Sequence, residues 1–144
     1  MNEYFIANAV LSMFSKNYME LKKDLPIRPS EMAVLNIITE TKGPHTPVKL
    51  AELLNVSKPM ITAHITSLKN KGFVKKSPST EDKRAYYVLP TKKAIDLVES
   101  AKIDMGKHLD RLKNGMGKDD FENFIRLSSV ANNILDNRSD NKGE

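Results

Sequence analysis

Residues 46–90 read TPVKLAELLNVSKPMITAHITSLKNKGFVKKSPSTEDKRAYYVLP. Their spacing predicts a short helix, a tight turn, a second helix and a hairpin with a charged tip. Thr46 suits an N-cap, and Pro47 suits the first helical position, where no N–H is needed. Leu50, Leu53 and Leu54 stand at i, i+3 and i+4, which gives the short helix one apolar face. Asn55 tolerates the left-handed backbone that ends a helix. Val56 packs into the turn, Ser57 caps the second helix, and Pro59 is confined to that helix's first turn. In the second helix Ile61, Ile65 and Leu68 form the inward stripe, with His64 at its edge and Gly72 at its end. The opposite face carries Lys58, Pro59, Thr62, Ala63, Thr66 and Asn70. These side chains are small, polar or basic, and none is acidic. A helix that faces only water mixes Glu with Lys, whereas this face suits close approach to a polyanion.

Phe73-Val74-Lys75-Lys76 and Tyr86-Tyr87-Val88-Leu89 flank a polar loop from Ser77 to Arg84. Aromatic and β-branched residues at alternating positions predict a two-stranded ribbon. Helix–turn–helix followed by a ribbon is a winged helix. Its second helix would enter a DNA major groove, and the ribbon tip would reach the backbone or an adjacent minor groove. The segment resembles the MarR family of bacterial transcriptional regulators. The resemblance rests on Leu50-Ala51-Glu52-Leu53-Leu54-Asn55-Val56-Ser57, on Thr62 and Leu68, on Lys71-Gly72-Phe73-Val74, and on the wing residues Glu81-Asp82-Lys83-Arg84. The family's D-x-R wing signature is met by Asp82 and Arg84. Leu89-Pro90-Thr91 stands where the family has Leu-Thr, with Pro90 interposed.

Charge follows the same division. The whole chain carries +5, yet residues 42–93 hold 11 Lys and Arg against 3 Asp and Glu, a local +8, which leaves −3 for the rest. A basic centre between acidic flanks is the electrostatic footprint of nucleic-acid binding, although a solvated basic face has the same composition. At 144 residues the chain is expected to form one domain, too small for an enzyme with a deep cleft. No apolar run long enough for a membrane span is present, and residues 1–16 do not read as a signal peptide. The absence of cysteine excludes disulfides, thiolate metal sites and thiol-based sensing, and is compatible with a cytoplasmic location.

Outside the centre, residues 3–23 show helical spacing through Phe5, Ile6, Ala9, Val10, Met13 and Phe14. A terminal helix this apolar suggests a partner surface. Residues 29–41 predict a helix with Met32, Leu35, Ile38 and Ile37 inward, Pro29 at its first position and Glu31 at its positive end. The MarR family has Thr at the position of Arg28, so a capping hydroxyl is missing. Arg28 is either exposed without a role or faces an acidic group or an anionic ligand. Thr91 is expected to cap a helix to about Lys113, with Ala94, Leu97, Val98, Ala101, Met105, His108, Leu109 and Leu112 as its stripe. About 23 residues at about 1.5 Å each give roughly 34 Å, long for so small a domain, so part of the helix would project toward a partner chain. Asn114-Gly115-Met116-Gly117 is expected to stop it. Asp119 and Glu122 would cap the last helix. Its residues Phe121, Phe124, Ile125, Leu127, Val130, Ile134 and Leu135 cover more than one face.

The expected fold is therefore mostly α with a small β-ribbon (α+β), a winged helix–turn–helix core flanked by N- and C-terminal dimerisation helices. It comprises a single domain over 1–136, with 29–90 as the DNA-binding lobe, 3–23 and 91–136 as dimerisation helices, and 137–144 as a disordered tail. No glycine-rich phosphate loop, H-E-x-x-H or G-x-S-x-G is present, so no catalytic residue is assigned. His45, His64 and His108 lack metal-ligand spacing, and neither metal nor cofactor is expected. The expected partner is double-stranded DNA at a pseudo-palindromic operator, read by a homodimer. Lys58, Pro59, Thr62, Ala63 and Thr66 would meet the groove, Ser57 at the cap of the same helix is a further DNA-binding residue, and Arg84 would contact DNA from the wing. Lys49, Lys76 and Lys83 would touch phosphates, which position without specifying. Asp82 would hold Arg84 or the loop, unless it is a simple turn residue. The resemblance further implies a repressor released by a small aromatic or anionic effector. The alternative is a winged-helix module that binds proteins instead of specific DNA.

Overall fold

The computed structural model describes residues 2–22 and 24–136. Six helices and one hairpin follow in the order α1 (Glu3–Glu20), α2 (Pro29–Glu40), α3 (Pro47–Leu54), α4 (Lys58–Asn70), β1 (Val74–Pro78), β2 (Tyr86–Pro90), α5 (Lys92–Met116) and α6 (Lys118–Leu135). The chain divides into two compact units, one ending at Ile103 and one beginning at Asp104. The mostly helical fold with its two-stranded ribbon is the winged-helix architecture expected. The proposed tail at 137–144 lies outside the described residues, as does residue 23 at the end of the expected first helix.

The core belongs to the first unit. Among the described residues every buried apolar side chain lies between Ile27 and Val98. Leu35, Leu50, Ile61, Ile65, Leu68, Val34, Val88 and Val98 are all but inaccessible. Four helices, α2 to α5, and the ribbon thus converge on one apolar centre. Burying a side chain of this size stabilises by about 1.5–3 kcal/mol, so the lobe has the means to fold around it. In α3 the inward arc runs through Leu50, Leu54 and Ala51, where Ala51 is 7% exposed and Leu53 is 50% exposed. The expected Leu50–Leu53–Leu54 face is corrected accordingly: the eight-residue helix is rotated toward Ala51, whose small side chain permits close packing.

The connections are set by local chemistry. Asn55 adopts φ 53°, ψ 50°, the left-handed cap that frees the chain to turn into α4. At the end of α4, Gly72 takes φ +84°, and the Phe73 N–H returns to the Leu68 carbonyl at 2.9 Å. That closure makes Phe73 a cap residue, so β1 starts one residue later than expected, at Val74. The ribbon pairs antiparallel from Val74 opposite Pro90 to Pro78 opposite Tyr86. The Val88 N–H also donates to the His45 carbonyl at 2.8 Å, which ties the wing to the entry of α3.

Two expectations about the last helices are revised. α5 runs through Asn114 and Gly115 to Met116, so Gly117 alone stops it, with φ +92°. α6 then begins at Lys118 with Gly117 as its N-cap and no side-chain cap. Asp119 sits inside the first turn, where its charge faces the positive helix end, and is not a capping residue. Lys102 on α5 pairs with Glu40 of α2; this partner raises the ammonium's pKa. Neither α1 nor α6 contributes a buried residue. No helix among the described residues is long and apolar enough to cross a membrane.

Candidate nucleic-acid interface

The helix α4 presents two faces with different chemistry. Ile61, Ile65 and Leu68 are buried at 1%, 0% and 0% exposure, while Lys58, Pro59, Thr62, Ala63, Thr66 and Asn70 are exposed. The 3.6-residue period places the second group on the side turned from the core. Ser57 is exposed ahead of the first turn, and its Oγ accepts the Met60 N–H at 3.2 Å. That bond uses the hydroxyl as acceptor, so its hydrogen remains available to a phosphate oxygen. The positive end of the helix macrodipole lies at the same point and favours an anion there. Met60, 49% exposed at the rim of this face, was not singled out by the sequence reading. An apolar residue at a helical angle between two faces carries no signal of its own.

The wing presents its cations at a tip braced by its own polar groups. The Ser79 Oγ accepts the N–H groups of Glu81 at 3.2 Å and Asp82 at 3.3 Å. The Asp82 Oδ1 accepts the Arg84 N–H at 2.9 Å, and the Ala85 N–H returns to the Asp82 carbonyl at 3.1 Å. Asp82 therefore orders the backbone that carries Arg84. The Thr80 Oγ1 and Tyr87 OH lie 3.2 Å apart, and hydrogen bonding from Ser79 and Thr80 lowers the pKa of the Tyr87 phenol. Lys83 and Arg84 are exposed, and no acidic residue occurs between Glu52 and Glu81. The Lys76 ammonium sits 4.5 Å from the centre of the Tyr86 ring, with the side chain exposed on β1. Lys49 is exposed on α3, its N–H donated to the Thr46 cap at 3.3 Å. The expected groove residues thus share α4 and its cap, Lys83 and Arg84 share the wing tip, and Lys76 and Lys49 stand on the ribbon and on α3.

A long-range bond braces the other end of α4, and the sequence reading did not find it. Glu31, near the start of α2, is 1% exposed, and its Oε1 lies 3.2 Å from the Nζ of Lys71 at the end of α4. The same oxygen accepts the Arg28 N–H at 3.0 Å. Arg28 thus begins α2 without a capping hydroxyl, because Glu31 reaches back to its backbone instead. Burial raises the carboxyl's pKa, but the Ser67 hydroxyl, the Arg28 amide and the Lys71 ammonium outweigh it and hold it below the usual value. Forty positions separate Glu31 from Lys71, so no local pattern could have paired them. Among the described residues no group of His, Cys, Asp or Glu is arranged to hold a metal ion.

The MarR family model matches residues 27–86. Solved structures of the same fold cover nearly the whole chain. FabT of Streptococcus pneumoniae, in complex with DNA, aligns with a TM-score of 0.80 at 20% identity, over 94% of this chain and 99% of that one. The transcriptional repressor CouR, bound to a 23-mer DNA duplex, aligns at 0.71 and 22% identity, over 91% and 92%. MepR of S. aureus bound to ethidium bromide aligns at 0.63 and 13% identity, over 94% and 98%.

Proposed function

We propose that the chain is a MarR-type, homodimeric, sequence-specific regulator of transcription, a reading supported by the MarR family model that matches its residues 27–86. The observation that carries the reading is the division of α4 into a buried apolar stripe and an outward face free of acidic residues, beside a wing tip carrying Lys83 and Arg84. Ser57, Lys58, Pro59, Thr62, Ala63 and Thr66 meet the major groove. Arg84 contacts the DNA from the wing, while Lys49, Lys76 and Lys83 neutralise phosphates. A two-fold dimer presents two such helices, so the operator is a pseudo-palindrome. The exposed apolar residues of α1 and α6, among them Phe5 at 63%, Leu11 at 67% and Ile134 at 73%, support pairing of two chains.

Repression follows from occupying a promoter. Release follows when a small aromatic or anionic molecule binds one arrangement of the two α4 helices better than the other. The release step is supported by the family resemblance and by the MepR structure that holds ethidium bromide. The direct test of the DNA reading is duplex affinity measured between about 50 and 200 mM salt, where counterion release gives a steep fall. Binding that weakens steeply with salt supports the reading. Weak binding at every salt overturns it and leaves the basic lobe to a protein partner.

A further inference from the structure

Lys93 stands in the most basic part of the chain and by default would be one more phosphate contact. Its surroundings give it another task. The Nζ donates to the Lys71 carbonyl at 2.7 Å and lies 4.5 Å from the centre of the Phe73 ring. Its stem passes 3.8 Å from where a side chain on Gly72 would begin. The neighbouring Lys92 differs: its ammonium reaches only Asp96 of its own helix, at 3.5 Å, and is 91% exposed. Lys93 therefore spans from the first turn of α5 to the terminal carbonyls of α4, where a cation is favoured by the negative helix end.

The rest of that junction is closed by the same two elements and by α2. The Thr91 Oγ1 donates to the Gly72 carbonyl at 2.7 Å, and the Thr91 N–H donates to the Phe73 carbonyl at 3.0 Å. Lys71 itself is gripped from α2 by the buried Glu31. The carbonyls of Lys71, Gly72 and Phe73 are thus all satisfied from residues 91 and 93. At the start of α4 the local bracing is the Ser57 cap and the Asn55 turn.

We propose that Lys93 is a positioning residue for DNA reading: with Thr91 it locks the C-terminal end of α4 to the first turn of α5, so the direction of the recognition helix follows that of α5. This rests on the DNA reading above. A shift in the first turn of α5 reaches the recognition face through this junction, without any contact between α5 and DNA. The proposal separates Lys93 from the phosphate-binding lysines by a measurable criterion. A phosphate contact contributes about one unit to the log–log salt slope and strengthens binding to every sequence, whereas a positioning residue changes only discrimination between sequences.

The test uses the full chain and two duplexes, one carrying the site preferred from a random pool and one scrambled. Affinities of the wild type, Lys93→Met, Lys93→Arg and Thr91→Val are measured across salt, with thermal unfolding of each. Lys93→Met and Thr91→Val are expected to lose roughly five- to tenfold in affinity for the preferred duplex, the equivalent of one hydrogen bond. Scrambled-duplex affinity and salt slope stay unchanged, and Lys93→Arg restores discrimination. If Lys93→Met instead lowers the slope by about one and weakens both duplexes alike, Lys93 is a phosphate contact and the proposal fails. It fails equally if discrimination is unchanged in folded Lys93→Met and Thr91→Val. A wild type that does not distinguish the duplexes overturns the DNA reading first, and this inference with it.

Discussion

The methyl group of Ala63 and the ring of Pro59 are among the side chains α4 turns outward, beside Thr62 and Thr66. Apolar groups of this size read the thymine methyl in the major groove. On the proposed reading, in which these groups meet a thymine, replacing that thymine by deoxyuridine should weaken wild-type binding by about 1 kcal/mol, the worth of one buried methyl. Ala63→Gly should show no further loss on the deoxyuridine duplex, which a titration of both proteins on both duplexes would measure. Glu31 makes a prediction about pH. Its pKa is lowered in the folded state below the ordinary carboxylate value, so its stabilisation is present above the unfolded value and is lost as pH falls through the folded one. Glu31→Gln should flatten the acid limb of the stability curve and leave the alkaline side in place; an acid limb of unchanged steepness in urea titrations would assign that loss to other carboxylates. Residues whose work is local were legible in the sequence. Thr46, Asn55, Ser57 and Gly72 each satisfy or turn a backbone within four positions of themselves. Glu31 with Lys71 and Lys93 with the Lys71 carbonyl were not, because each contact joins elements that only the folded core brings together.

Between neighbouring elements, the α3–α4 turn and the core stripe set the angle at which α4 is shown to solvent. Asn55 holds φ 53°, so Asn55→Gly should leave stability within a few tenths of a kcal/mol, while Asn55→Val should cost about 1–2 kcal/mol. Chemical denaturation of the two variants distinguishes a backbone requirement from a side-chain one; equal losses would refute the former. Leu68→Ala empties a fully buried position and should cost about 2–5 kcal/mol, whereas Leu53→Ala, half exposed, should stay below about 1 kcal/mol. The contrast bears on how the elements could be read. α4 was legible because its stripe repeats over 13 residues, long enough for the period to fix its face. In α3, eight residues leave the face ambiguous by one position, and the choice of Ala51 over Leu53 comes from the elements packed against it. The start of α6 was misread because Gly117, at φ +92°, makes a helix entry that needs no capping side chain.

At the scale of the molecule, the chain separates a folded centre from two helices without a buried residue. Every buried apolar side chain described lies in residues 27–98, while α1 exposes Tyr4, Phe5, Val10, Leu11 and Met13, and α6 exposes Ile134 and Leu135. Apolar surface of this kind is covered in most proteins by a partner, and a two-fold pair of chains is the simplest cover. Sedimentation velocity should give a dimer for the wild type. Phe5→Glu combined with Ile134→Glu should give monomers whose winged helix still unfolds cooperatively; a wild-type monomer at micromolar concentration would remove the basis for a palindromic site. The central claim, that two copies of α4 read one DNA sequence, is tested most directly by selecting sites from a random duplex pool at moderate salt, with the wild type and with Thr62→Ala and Arg84→Ala. The account predicts a pseudo-palindrome with half-sites about one helical turn apart, and weaker enrichment in both variants. A pool that returns no enriched sequence, or one enriched equally by all three proteins, would contradict it.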